Sequence, residues 1–215
     1  MTKTCSELFQ GMDCAIIGNG NEEVAGLAFR SDEVAPGDMF FCIVGTVVDG
    51  HSFAQDAIDR GATSLVAERK VYLADATDVT EVVVSDSRKA MAYASANYYD
   101  NPSRAFSLVG ITGTNGKTTT TYLVEHIASV AGNRCGVIGT VGNKIAGVME
   151  HAERTTPESP DLQKLFARMR DAGCTVVAME VSSHALDLRR TWDTDFAVTA
   201  FTNLTQDHLD YHHTF

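Results

Sequence analysis

Apolar positions along the chain fall into two alternating kinds of segment. Short runs dense in Val, Ile, Leu, Phe and Ala, at residues 24–29, 39–44, 63–67, 82–84, 106–111, 136–138, 175–179 and 196–201, read as strands. Between them lie stretches with helical spacing. Residues 51–60 place Phe53, Ala54, Ala57 and Ile58 on one face, with Gly61 as a stop, and residues 87–99 do the same with Ala90, Met91, Ala94 and Tyr98. Residues 117–131 predict a helix whose inner face is Leu123, Ile127, Val130 and Ala131; residues 161–172 predict one that buries Leu162, Leu165, Phe166 and Met169. Pro36-Gly37 separates the first two strands, and a glycine-rich stretch runs from residue 138 through Gly147. Strands that alternate with helices and carry few polar residues predict an α/β fold: a parallel sheet with helices on both faces. Asn101-Pro102-Ser103 interrupts the pattern and divides the chain into two expected domains, residues 1–103 and 104–215. No internal repeat and no low-complexity tract is present.

Composition narrows the function. Hydrophobic residues make up 44% of the chain and charged residues 21%, a balance that builds a core. With 17 basic and 28 acidic side chains the formal net charge is −11, which repels phosphate backbones and anionic lipid, so neither nucleic acid nor a membrane surface is an expected partner. A local cationic pocket for a small anion remains compatible with that charge, because salt screens distant groups. Cys5, Cys14, Cys42, Cys135 and Cys174 are scattered and form no C-x-x-C pair, as in a protein of a reducing compartment. Residues 1–7 lack the basic-then-apolar pattern of a signal peptide, and the apolar run 39–48 is shorter than the ~20 residues of a membrane span. A cytoplasmic monomer is the expectation.

Chemistry first appears at residues 110–119. Gly113-Thr114-Asn115-Gly116-Lys117-Thr118-Thr119 follows an apolar strand and opens a helix, the context of a phosphate-binding loop. Glycines let backbone N–H groups approach phosphate oxygens, and the helix N-terminus adds its positive end. Lys117 is placed to neutralise β/γ-phosphate charge, and the Thr118 hydroxyl to ligate Mg²⁺. The general pattern G-x-x-x-x-G-K-[ST] requires glycine at position 111; this chain has Ile111 and keeps the tighter G-x-x-G-K-T.

Two more segments fall at strand ends, where open parallel sheets gather ligands. Glu180 follows the run 175–179 and precedes Val181-Ser182-Ser183-His184, the position of an acid that meets Mg²⁺ beside the phosphate loop. Asp207, His208, Asp210 and His212 follow the run 196–201 and suit either a metal site or a solvated loop; hard cations prefer oxygen, so chemistry alone does not select His208.

Residues 113–120 (Gly-Thr-Asn-Gly-Lys-Thr-Thr-Thr), 179–186 (Met-Glu-Val-Ser-Ser-His-Ala-Leu) and 201–212 (Phe-Thr-Asn-Leu-Thr-Gln-Asp-His-Leu-Asp-Tyr-His), taken in order, resemble the Mur ligases of bacterial cell-wall synthesis. The likeness is strongest to the branch that adds the third amino acid, and it runs from about residue 24 to residue 215. It implies a small N-terminal UDP-binding α/β domain followed by a truncated P-loop-type parallel-sheet ATPase domain. The implied reaction is ATP-dependent: the D-Glu carboxylate of UDP-N-acetylmuramoyl-L-Ala-D-Glu is phosphorylated, and the acyl phosphate is attacked by the amine of diaminopimelate or lysine. By the resemblance, Lys117, Glu180 and His208 carry catalysis, and residues Gly113 to Thr119 hold ATP. Thr118 and Glu180 would bind one Mg²⁺, and Glu180 and His208 another. Phe29, Ser31, Thr46, Val47 and Val48 would contact the UDP part, and Thr155, Thr156, Ser182 and Arg190 the muramoyl-dipeptide. Core packing is an equal reading of Phe29 and Val47.

The chain departs from the family pattern in places. Arg30-Ser31-Asp32 stands where Asp-Ser-Arg is usual, Arg154 where Asn is frequent, and Leu188 where some members have Gln. The family's carbamylated lysine and the C-terminal domain that selects the amino acid would follow residue 215, so the expectation is a truncated, inactive piece. Competing readings are a folylpolyglutamate-synthase-like ligase, a non-catalytic nucleotide-binding module, and a P-loop kinase or GTPase, the last disfavoured by Ile111.

Overall fold

The computed structural model of the chain describes residues 2–45, 47–74 and 78–214. Its contacts form two compact units that divide between Asp100 and Asn101.

The first unit contains β1 (Lys3–Thr4), α1 (Cys5–Leu8), β2 (Ala15–Ile17), β3 (Glu23–Val24), β4 (Gly26–Ala28), β5 (Asp38–Phe41), α2 (Ala54–Asp59), β6 (Ser64–Ala67), β7 (Thr80–Val83) and α3 (Ser87–Tyr98). Its main sheet has the order β2-β7-β6-β5-β4; β4 to β7 are parallel and β2 lies antiparallel at the edge. Side chains alternate along a strand, so unbroken apolar strands need cover on both faces. Met39 and Phe41 join the core that includes Ala90, Met91 and Ala94 of α3, while Phe40 and Cys42 join the opposite core with Ala54 and Ala57 of α2. Phe40 and Phe41 are both fully buried, each contributing about 1.5–3 kcal/mol relative to exposure.

Three expectations change here. Residues 24–29 are not one strand: β3 pairs with β1 and β4 with β5, and between them the Ala25 N–H donates to Gly37 O. The expected helix 51–60 begins as a tight 3-10 turn, Gly50–Phe53, because the Asp49 side chain accepts from His51 N. That turn carries Phe53 out to solvent, while Ala54, Ala57 and Ile58 keep the expected core face. The edge strand β2 was not expected at all, being only three residues long.

The second unit contains β8 (Ser107–Thr112), α4 (Lys117–Val130), β9 (Cys135–Ile138), β10 (Asn143–Ile145), β11 (Val148–Glu150), α5 (Ser159–Asp171), β12 (Val176–Glu180), α6 (Ser183–Asp187), β13 (Val198–Phe201) and α7 (Leu209–His212). The sheet order is β11-β10-β9-β12-β8-β13, with β9, β12, β8 and β13 parallel and β10–β11 an antiparallel hairpin inside the glycine-rich stretch. Helix α5 buries Leu162, Leu165, Phe166 and Met169 against Leu108, Ile138, Val177 and Met179, as its spacing predicts. Its Pro160 falls in the first turn, where a missing N–H costs nothing.

Helix α4 turns the other way from the expected one. Leu123, Ile127 and Val130 are 55%, 67% and 75% exposed, and Thr121 is its buried residue. The loop before the helix sets this rotation: Thr118 is directed at Glu180, so Thr121 and Glu125, three and seven residues on, share its face. The Leu-Ile-Val stripe is left on the opposite side.

Candidate active site

Four parallel strands end together, and the segments after β8, β9, β12 and β13 carry the candidate chemistry. In the loop after β8, Gly113 and Gly116 have φ of 130° and 86°, which side chains disfavour. A Cβ at Gly113 would also collide with Thr202 Oγ1. The loop is laced to the segment after β13. Thr114 N donates to Asn203 O (3.0 Å), Asn115 N donates to Asn203 Oδ1 (3.0 Å), and Asn203 Nδ2 donates back to Asn115 O (2.9 Å). Thr114 Oγ1 donates to Thr205 O and accepts from Thr205 N. The Thr114 and Asn115 amides are thereby occupied, and the N–H groups at the start of α4, through Thr119, precede its first internal bond, Thr120 N to Gly116 O. Lys117 Nζ donates to Gly113 O (2.6 Å) and Thr114 O (3.0 Å), which uses two of its three protons. It borders a cavity of about 550 Å³ together with Thr114, Ser182, Phe201, His208 and His212.

Glu180 is 1% exposed at the end of β12. Its Oε2 accepts from Thr118 Oγ1 (2.8 Å) and Thr140 Oγ1 (3.3 Å), and its Oε1 from Thr140 N (2.9 Å). Gly139 makes this possible, because a Cβ there would collide with Oε1. A hydroxyl and a carboxylate already in contact are the hard oxygen donors that Mg²⁺ takes, so these residues fit the ion the resemblance implies. His208 is brought to the cavity that Lys117 borders, where its ring packs edge-on against His184 at 4.6 Å between centroids. Among the described residues, no three His, Cys, Asp or Glu side chains converge as a ready cation site. Burial, and then the neighbouring His208 and His212, hold the His184 imidazole below its ordinary pKa.

The proposed dipeptide contacts are placed unequally. Thr155 is half-buried and within 3.0 Å of the Thr140 hydroxyl. Thr156 is buried: its hydroxyl donates to Glu180 O (2.9 Å) and accepts from Ser182 N (3.1 Å). Ser182 caps α6 through Ala185 N. Arg190, 8% exposed, donates to Thr156 O and pairs with Glu158 at 2.8 Å. Glu158, Gly139 and Thr140 were missed from sequence; the available signal for the last two was a Gly-Thr directly after a parallel strand.

In the first unit, Phe29 is half-buried against the core that includes α3, and Val47 and Val48 are 92% and 52% exposed. Thr46 lies outside the described residues. The Ser31 hydroxyl bonds Asp56 and helps hold that carboxyl below its usual range. Arg30 and Asp32 pair with each other through two bonds, so the inverted order of charges leaves the segment internally neutralised. The loop ends on a wired histidine: His51 Nε2 accepts from Glu68 N (3.0 Å), so Nδ1 carries the proton given to Asp49 (2.6 Å), and Arg69 closes on the other Asp49 oxygen.

A parallel sheet whose strand ends assemble a Gly-x-x-Gly-Lys-Thr loop beside a buried carboxylate defines an α/β protein of the nucleotide-loop class. Residues 23–111 match the family model described as Mur ligase family, catalytic domain, and residues 111–215 the one described as Mur ligase middle domain; the chain belongs to the Mur ligase family. It is 50% identical over 195 residues to a UDP-N-acetylmuramoyl-L-alanyl-D-glutamate--2,6-diaminopimelate ligase of Geobacillus thermodenitrificans, a match covering 91% of this chain and 39% of that one. The like-named ligase of Clostridium botulinum is 44% identical over 209 residues, covering 97% and 43%. A solved structure of a ligase of that name superposes with a TM-score of 0.80 at 27% identity, covering all of this chain and 42% of the other. The chain therefore spans about two fifths of the length of these relatives. Among the described residues no helix is long and apolar enough to cross a membrane.

Proposed function

We propose that this chain forms the nucleotide-binding and UDP-substrate-binding parts of an ATP-dependent ligase that joins diaminopimelate to UDP-N-acetylmuramoyl-L-alanyl-D-glutamate. The observation that carries this reading is the meeting of Lys117, the first turn of α4 and the Thr118–Glu180 pair at the ends of β8 and β12. Lys117 and the α4 N–H groups bind the β- and γ-phosphates and stabilise charge that grows as the γ-phosphoryl group moves to the D-Glu carboxylate, with ADP leaving. Thr118 and Glu180, with His208 as a further candidate, would hold Mg²⁺, which would supply additional neutralisation of the phosphates. The amine of the incoming amino acid then displaces phosphate and forms the amide. Thr155, Ser182 and Arg190 with Thr156 form the dipeptide side, and Phe29, Ser31, Thr46, Val47 and Val48 the uridine-diphosphate side. The names of the relatives favour diaminopimelate over lysine.

Calorimetric titration with UDP-N-acetylmuramoyl-L-Ala-D-Glu, UDP and a folate tests this. Binding of the first two and not the third is expected. A chain that binds Mg²⁺·ADP but neither uridine compound would refute the substrate assignment.

A further inference from the structure

Four side chains form one hydrogen-bonded line across the site: Thr118, Glu180, Thr140 and Thr155. Thr118 opens α4 behind the phosphate loop, Glu180 ends β12, Thr140 follows β9, and Thr155 lies in the segment before α5. The 155–156 segment is attached to Glu180 twice. Thr156 donates to the Glu180 carbonyl, and Thr155 reaches the Glu180 carboxylate through the Thr140 hydroxyl. Arg190 and Glu158 brace the same segment from the buried side.

We propose that Thr140 is a positioning residue that couples cation binding at Glu180 to the hydrogen-bonding state of Thr155. The mechanism follows from proton counting. A threonine hydroxyl has one proton to donate. Glu180 Oε2 only accepts, so the Thr140 proton points to it and the Thr155 proton is spent on Thr140 Oγ1. A divalent cation on Oε2 repels that proton and turns it toward Thr155. Thr155 then becomes the acceptor, and its own proton is released for a ligand. The Thr140 N–H to Oε1 bond comes from the backbone and survives any side-chain change, so the hydroxyl can be tested without dislodging Glu180.

The inference rests on the reading of Thr118 and Glu180 as the cation site. The experiment is Mg²⁺-dependent ADP binding by the full 215-residue chain, followed by calorimetry and repeated with Mn²⁺ by electron paramagnetic resonance, in the native chain and in T140V, T140S, T155V and T140V/T155V. T140V is expected to lower the half-saturating cation concentration about threefold to fivefold, the scale of one hydroxyl bond, because it removes from the cation-free state the bond that the cation has to break. T155V, whose residue touches neither the carboxylate nor the loop through any bond described above, is expected to shift it by at least twofold. The double variant should match T140V alone, and T140S should restore the native value. An unchanged cation requirement in T155V, or single effects that multiply in the double variant, overturns the coupling while leaving the cation site intact. ADP binding in the native chain that is indifferent to Mg²⁺ and Mn²⁺ overturns both the cation site and the coupling.

Discussion

At Glu180 three donors converge on a carboxylate that water barely reaches, and the geometry depends on a neighbour without a side chain. Gly139 is not in the left-handed region, so Gly139→Ala acts by collision with Oε1 alone. The variant is expected to cost about 1–3 kcal/mol of stability, as overpacking does. It should also weaken Mg²⁺-dependent ADP binding tenfold or more. Urea unfolding and calorimetry measure the two effects; native cation dependence in the alanine variant would mean Glu180 does not hold the ion. In the first unit, Arg69, and then the His51 N–H and ring, hold the Asp49 carboxyl well below the usual carboxylate range. The folded state therefore binds fewer protons than the unfolded chain in acid. This contribution to stability is present above the ordinary carboxylate pKa of about 3.9 and is lost as pH falls through the lower folded value. Carboxyl carbon NMR should show Asp49 still ionised at about pH 3 and a higher midpoint in Arg69→Ala; a native midpoint near 4 would contradict the contacts.

Two helices of the second unit have comparable apolar spacing and opposite fates. Helix α5 docks its stripe, while α4 exposes its own, because Thr118 has to reach Glu180 and the remaining turns follow. Ile127→Glu is accordingly expected to change unfolding free energy by no more than about 0.5 kcal/mol. Leu162→Ala, at a fully buried site on α5, should cost about 2–5 kcal/mol. Chemical denaturation of both variants checks the contrast, and a large loss in Ile127→Glu would place α4 with its stripe against the sheet. The periodicity of residues 117–131 correctly indicates a helix. It does not contain the identity of the partner face, which a loop contact chooses.

Each unit has its own sheet and its own core. Among the described residues, the clusters around Phe41 and Phe40 draw on residues up to Tyr98, and the cluster around Phe166 on residues from Phe106 onward. Residues 1–100 alone are therefore expected to fold, with dispersed amide NMR signals and a cooperative melting transition. A collapsed, uncooperative fragment would show that its two-faced sheet is insufficient. At this scale the formal net charge of −11 also bears on the proposed phosphate ligand, which would have to be drawn in by local groups, Lys117 and helix dipole, rather than by the protein's overall field.

The α/β class, the four parallel strands of the second unit, α5 and the position of the glycine-lysine loop were determined by sequence, because hydrophobic period and glycine spacing are local properties of the chain, whereas the β10–β11 hairpin was not legible within its glycine-rich stretch. The same holds for the family, since its three motifs occur in order. What the chain could not show locally was decided by tertiary structure. Gly139 and Thr140 become site residues only because β9 lies beside β12, and Asn203 grips Asn115 only because β13 pairs with β8. The burial of Thr156 and Arg190 among β12, α6 and Glu158 likewise depends on segments distant in the chain. Local pattern reports what a segment forms, and long-range strand order determines which segments meet.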